Sequence, residues 1–189
     1  MKTSSKRGKW LVGMAASVLF VGLASADTAS TRRTDSKNIA VPQERLAEKV
    51  RHELVMLPFY GVFDNLGYQI QGGDTVVLTG QVTRPTLKTD AGRVASKVEG
   101  VSKVVNDIEV LPLSRFDNMI RLATYRAIFS KPGFEKYVIQ GLSPIHIIVK
   151  NGNITLTGAV GSQMDRIIAE MAARGIPGTF GVTNELVIG

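Results

Sequence analysis

The sequence predicts an α+β protein of two tandem αββαβ units, each a small three-stranded mixed sheet covered on one face by two helices. Two repeated segments predict it. Val76-Val77-Leu78-Thr79-Gly80-Gln81-Val82 returns as Ile154-Thr155-Leu156-Thr157-Gly158-Ala159-Val160, and Gly100-Val101-Ser102-Lys103-Val104-Val105-Asn106 returns as Gly178-Thr179-Phe180-Gly181-Val182-Thr183-Asn184. Gly80 to Gly158 and Asn106 to Asn184 are both 78 residues apart, so the stretch between the two motifs keeps its length in each copy. A constant offset marks the duplication of a whole structural unit. Two copies are too few for a solenoid, so each unit is expected to fold around its own core.

The elements follow in order. Leu46, Val50, Leu54 and Leu57 draw one apolar stripe along a helix whose other face holds Glu44, Arg45, Glu48, Lys49 and Glu53. Pro42 suits its start and Pro58 its end. Tyr68 and Ile70, the pair Gly72-Gly73, and the alternating Val76, Leu78, Gly80 and Val82 read as two strands around a glycine turn. Leu87, Ala91, Val94, Ala95 and Val98 give a second helix closing at Gly100, and Val104, Ile108 and Val110 a last strand. In the second copy Phe116, Ile120, Ala123 and Ala127 mark the first helix, ended by Pro132 and Gly133. Ile145, Ile147 and Val149 lead into Asn151-Gly152, a strong signal for a tight hairpin turn, and Ile154 to Val160 return. Met164, Ile168, Met171 and Ala172 line the second helix, Gly175 stops it, and Val182, Leu186 and Ile188 complete the sheet. A three-stranded sheet with one apolar face needs a cover, which two amphipathic helices supply.

Residues 1–26 stand apart from this pattern. Lys2, Lys6, Arg7 and Lys9 precede an almost uninterrupted apolar run from Trp10 to Leu23, and Ala24-Ser25-Ala26 is a small-residue cleavage site, the composition of a secretory signal peptide. A retained anchor is the rival reading, but the run is short for a bilayer span. Residues 27–41, rich in Thr, Ser, Arg and Asp without an apolar period, read as a flexible arm. The remaining boundaries are a first domain at 42–111, a short linker at 112–115 and a second domain at 116–189. Cysteine is absent, which excludes a lipidated cysteine, disulfides and thiolate metal sites. The whole chain carries +7; removing the leader's four positive charges leaves +3, too weak a bias for a nucleic-acid partner.

A helix, a hairpin ending in Leu78-Thr79-Gly80, a second helix, and the strand entry Gly100-Val101 with Val104-Val105-Asn106 resemble the BON domain, named for bacterial osmotically induced and nodulation-associated proteins. The resemblance covers about 43–111 and 116–188. The second copy keeps Leu156-Thr157-Gly158 and Val182-Thr183-Asn184 and departs at Thr179, where the family usually has Val. The fold motif is thus Gly80, Gly100, Asn106, Gly158, Gly178 and Asn184. The resemblance implies a non-enzymatic, periplasmic module that attaches to phospholipid surfaces in osmotic or envelope stress; the alternative is a protein-interaction or assembly module, with an envelope protein or another copy as partner. Many relatives reach the membrane through a lipidated cysteine, so contact here would have to come from the protein surface.

One candidate surface lies on the 116–130 helix, where Phe116, Met119, Ile120, Ala123 and Ala127 are expected to make the core stripe and Leu122, Tyr125 and Phe129 share a different side. Arg121, Arg126 and Lys131 accompany them, together with Arg115 and Lys136. Rings between cations suit the headgroup boundary of an anionic phospholipid surface. The same side would equally serve to pack against the first unit, since Pro112-Leu113-Ser114 is so short a link. A second basic candidate is Arg84, Lys88, Arg93 and Lys97, a pattern that is usually a solvated face.

Catalytic constellations are not found. His52 and His146 are far apart and both read as solvent-facing, and no nucleophile elbow, phosphate loop or metal-ligand spacing occurs. Asp64, Asp74, Asp90 and Asp107 fall at turns and element ends, where Asp serves backbone hydrogen bonds. No cofactor or metal is expected.

Overall fold

The computed structural model describes residues 31–138 and 143–189; the leader at 1–26 and the first residues of the arm lie outside the described residues. Helix α1 (Thr31–Val55) opens the chain, followed by β1 (Asn65–Gln71), β2 (Thr75–Val82), α2 (Pro85–Ala95), β3 (Lys103–Asn106) and β4 (Glu109–Val110). The second unit repeats the order with α3 (Arg115–Phe129), β5 (Ile145–Lys150), β6 (Asn153–Val160), α4 (Gln163–Arg174), β7 (Gly181–Asn184) and β8 (Val187–Ile188). A 3₁₀ turn, Glu135–Tyr137, sits in the longer connection between α3 and β5.

Three differences from the sequence reading have local causes. Helix α1 begins at Thr31, so Pro42 lies within it and the segment read as an arm is helical from Thr31 onward; no glycine interrupts that stretch. Helix α2 ends at Ala95, and the chain turns through Val98, still buried, to reach Gly100 at φ +97°. The last strand of each sheet is broken in two. Both pieces run parallel to the central strand, whereas the hairpin partner is antiparallel, so the sheets are mixed as expected.

The break is where the repeated asparagine acts. Asn106 Nδ2 donates to the Lys88 carbonyl (2.8 Å), and its Oδ1 accepts from Ile108 N (3.3 Å). Asn184 repeats both bonds, to the Arg166 carbonyl (3.0 Å) and from Leu186 N (3.2 Å). One amide side chain thus ties the interrupted strand to the preceding helix and satisfies the backbone N–H freed by the interruption.

The repeated glycine has an equally specific reason. Gly80 (φ +115°) faces Leu66 across the hairpin, and Gly158 (φ +107°) faces Ile145. A Cβ would lie 2.1 Å from the Asn65 carbonyl oxygen in the first case and 1.9 Å from that of Pro144 in the second. Only glycine supplies both the backbone angle and the room.

Each unit has its own core. Val50, Leu54, Val76, Leu78, Leu87, Ala91 and Ile108 centre the first; Ile120, Ile128, Ile147, Ile154, Leu156 and Ala169 centre the second. The units also share a boundary. Strand β5 is an edge, and the first unit covers part of it: Ile147 N donates to the Val62 carbonyl (2.7 Å), and Val62 and Phe63 pack on the second core. Lys150 pairs with Glu109 across the same boundary (2.5 Å).

Candidate functional site

Helix α3 carries apolar residues around most of its circumference, so composition alone leaves the buried side ambiguous. The structure buries Asp117, Ile120, Arg121, Thr124 and Ile128. Phe116 and Met119, both expected in the core stripe, are exposed; Ala123 and Ala127 are half-buried. The core side is fixed by polar groups that the sequence reading passed over. Asp117, 1% exposed, accepts from Asn151 N (3.0 Å) and Gly152 N (2.8 Å) and so holds the β5–β6 turn. Arg121 donates from Nη2 to the Val149 carbonyl (2.7 Å). An Asp and an Arg four residues apart on one helix face were the available signal.

The lipid candidates on this helix therefore separate. Arg121 is not on an exposed rim: it is 5% exposed and faces the sheet. Tyr125 and Phe129 are half-buried and pack together at 4.7 Å between ring centroids, with Phe63 of the first unit 6.1 Å from Tyr125. Their rings serve the boundary between units. Leu122, Arg126 and Lys131 remain exposed.

The second basic candidate also divides. Arg84 stands over the Phe59 ring (4.8 Å), Lys88 is half-buried, and Arg93 is paired with Asp90 (2.7 Å). Lys97 lines a groove of about 650 Å³ between α1 and α2 together with Glu48, Glu53 and Glu99. These four cations do not form one free positive surface.

His146, expected to face solvent, is half-buried at the boundary, stacked on Tyr60 at 5.4 Å. With hydrogen on Nδ1 the ring donates to the Gly61 carbonyl (3.3 Å) while Nε2 accepts from the Tyr60 hydroxyl (3.4 Å). Burial pushes the imidazole pKa below its ordinary value, opposed by the Gly61 carbonyl and by Asp64. The folded pKa lies below the unfolded one, so the stability from neutral His146 is fully present above about pH 6.5 and is lost as pH falls from there toward the folded value. Asp165 and Glu170 are each held below their ordinary values, Asp165 by Lys136 and Tyr137 and Glu170 by Asn184 and Arg174. Chemical denaturation at pH 7.5 and 5.5 is expected to show lower stability at 5.5, and His146→Phe to reduce that difference; an unchanged difference would count against this role.

The most distinctive surface comes from comparing the two copies. On α4, Met164, Ile167 and Met171 are exposed; 78 residues earlier, at the same places on α2, stand Thr86, Thr89 and Arg93, also exposed. Phe180, 78% exposed, replaces Ser102 in the same way. On α3, which packs beside α4, Phe116, Met119 and Leu122 are exposed as well. At these positions α2 is polar and α4 apolar, on one fold. Exposed Arg115 and Arg126 belong to the same helix as Met119 and Leu122.

Among the described residues no three His, Asp or Glu are grouped to hold a metal, and no helix is long and apolar enough to cross a membrane. The fold motif is structural throughout: Gly80, Gly100, Gly158 and Gly178 have positive φ, and Asn106 and Asn184 hold the strand breaks.

No curated protein matches the chain. Solved structures similar to it include the C-terminal domain of CdsD, described as the structural protein of the type III secretion system of Chlamydia trachomatis (14% identity, 76% of this chain and 97% of that chain, TM-score 0.27). A second CdsD structure from Chlamydia trachomatis has 12% identity, covers 77% of this chain and 92% of that one, and has a TM-score of 0.29. The BON domain family matches residues 42–112 and 134–189, more than half of the chain and one segment in each repeat. The second match begins beyond α3, which packs on β5 and α4 as α1 packs on β1 and α2. With its duplicated sheets and its paired glycine and asparagine motifs, the chain belongs to the BON domain family and carries two BON domains in tandem.

Proposed function

We propose that this chain is exported to the periplasm by a cleaved leader at 1–26 and docks on phospholipid membrane surfaces in envelope or osmotic stress maintenance, through the outer helical face of its second unit. Two BON domains support a non-enzymatic, envelope-associated role. The observation that carries the finer reading is the change of Thr86, Thr89 and Arg93 to Met164, Ile167 and Met171 at equivalent exposed positions. A contiguous exposed apolar face is costly in a soluble domain and marks a surface that meets another phase or another molecule. Arg115, Arg126 and Lys131 at its border suit anionic headgroups. Leu122, Arg126 and Lys131 keep the role expected from the sequence; Tyr125 and Phe129 pass it to Met119 and the α4 residues.

The exported form, from Asp27 onward, is expected to sediment with phosphatidylglycerol vesicles, weakly or not at all with phosphatidylcholine vesicles, and less at physiological than at low salt, because the charged part is screened. Met119→Glu and Ile167→Glu change exposed residues, so the fold should persist while binding falls about tenfold or more, as expected for charges placed in an interfacial face. Failure to sediment with either vesicle would overturn membrane docking and assign the face to a protein partner. Met119, Met164 and Met171 give that alternative its own support, since methionine-rich surfaces adapt to partner shapes.

A further inference from the structure

A groove of about 550 Å³ lies at the junction of the two units, walled by Arg84 and Thr83 from the end of β2, Ser114 and Arg115 from the start of α3, and Asn118 and Arg121 from its next turns. Three guanidinium groups border it and, among the described residues, no carboxylate does. None of the three forms a salt bridge among the described residues. The nearby carboxylates are committed elsewhere. Asp64 accepts from Gly61 N, Thr83 N and the Thr83 hydroxyl, and Asp117 holds the Asn151-Gly152 turn.

Arg121 is the informative member. Its side chain is buried and its Nη2 is used by Val149, yet its Nε–H has no acceptor among the described residues. A buried guanidinium N–H without an acceptor is costly, and a bound anion is one way to supply it. Burial works against the Arg121 charge, with Asp117 and Asp64 opposing that effect. The groove also opens at the N-terminus of α3, a 15-residue helix whose dipole and free first-turn N–H groups favour negative charge. Ser114, which lines the groove, caps this end by accepting from Asp117 N.

We propose that this inter-unit groove binds a phosphate-type anion, either free or as the headgroup of an anionic lipid. It deepens the membrane reading, because Arg115 and Asn118 share α3 with the exposed Met119 and Leu122. A headgroup in the groove would leave its acyl chains near that apolar face.

The test is amide and arginine Nε–H chemical-shift titration of the exported form with inorganic phosphate, and separately with monomeric dihexanoyl phosphatidylglycerol, each against sodium chloride at equal ionic strength. Saturable shifts at Thr83, Ser114, Arg115, Asn118 and the Arg121 Nε–H are expected with at least one probe. Arg84→Gln/Arg115→Gln, which changes exposed side chains, should weaken them by about tenfold, as loss of two charge-assisted contacts implies. Shifts with both probes assign a phosphate site, and shifts with the lipid alone a headgroup site. Arg115→Gln alone serves if the double variant folds poorly. No saturable shift with either probe, or shifts indifferent to these substitutions, would overturn the groove. Wild-type sedimentation keeps the two ideas separate: vesicle binding without any saturable shift overturns the groove alone, and saturable shifts without vesicle binding overturn the apolar face alone.

Discussion

Gly158→Ala is expected to abolish cooperative folding of the second unit. At φ +107° an alanine is strained, and its Cβ would stand 1.9 Å from the Pro144 carbonyl oxygen, a backbone atom that cannot rotate aside. That carbonyl already accepts from Ala159 N (2.9 Å), so moving it breaks the hairpin at its point of register. The combined cost should exceed about 3 kcal/mol, the upper range for a single strained residue, before the clash is added. Gly133→Ala is the control. It too has positive φ, at +86°, but no described residue lies within 4 Å of its Cβ, so strain alone applies, about 1–2 kcal/mol. Thermal and urea unfolding of both variants decides the point: similar small losses in the two would contradict the assignment.

Asp117→Ala is the second large effect. The carboxylate is buried and meets two backbone N–H groups of the turn, and its removal leaves those donors unpaired and Arg121 without its nearer counter-charge. Removing one member of such a buried charged set typically costs about 3–5 kcal/mol. Asp117→Asn keeps the shape and one acceptor oxygen, so it should fall between wild type and Ala in urea denaturation. Equal stability of Ala and wild type would show that the turn holds itself through Asn151 and Gly152, which already have the positive φ of a tight turn (51° and 75°).

The sequence made the architecture legible because the duplication doubles every signal. Gly80 with Gly158 and Asn106 with Asn184 announce the same backbone need twice, and the structure gives each pair one physical job. The strand breaks were not legible, since the apolar alternation of Val104, Ile108 and Val110 continues across the interruption that Asn106 creates. Helix α3 was misjudged for a related reason. Apolar periodicity locates a buried face only when that face is apolar, and here it includes Asp117, Arg121 and Thr124. For Tyr125 and Phe129 the short linker already offers packing against the first unit as an alternative to a membrane surface, and Phe63 of that unit lies against Tyr125. His146 alternates with core isoleucines on β5, which locates it on the other side of the strand without revealing that Tyr60 lies there. Of the stripe Met164, Ile168, Met171 and Ala172, Ala172 is buried and Ile168 half-buried, whereas the two methionines are exposed and Ala169 and Ala173 take their place in the core. Small residues pack closely against a sheet, and the larger thioethers are left outside.

The exposed methionines give the central claim its most direct measurement, because the first unit supplies the polar version of the same helix. Exchanging Met164, Ile167 and Met171 for their counterparts, as Met164→Thr/Ile167→Thr/Met171→Arg, alters only side chains that are exposed or nearly so. The reciprocal set in the first unit is Thr86→Met/Thr89→Ile/Arg93→Met. Vesicle co-sedimentation at low salt with phosphatidylglycerol is predicted to fall about tenfold or more in the first variant, as loss of three interfacial apolar side chains implies. The reciprocal set added to that background is predicted to restore part of the binding. Sedimentation equal to wild type in the second-unit variant, with the fold confirmed by circular dichroism, would contradict the account.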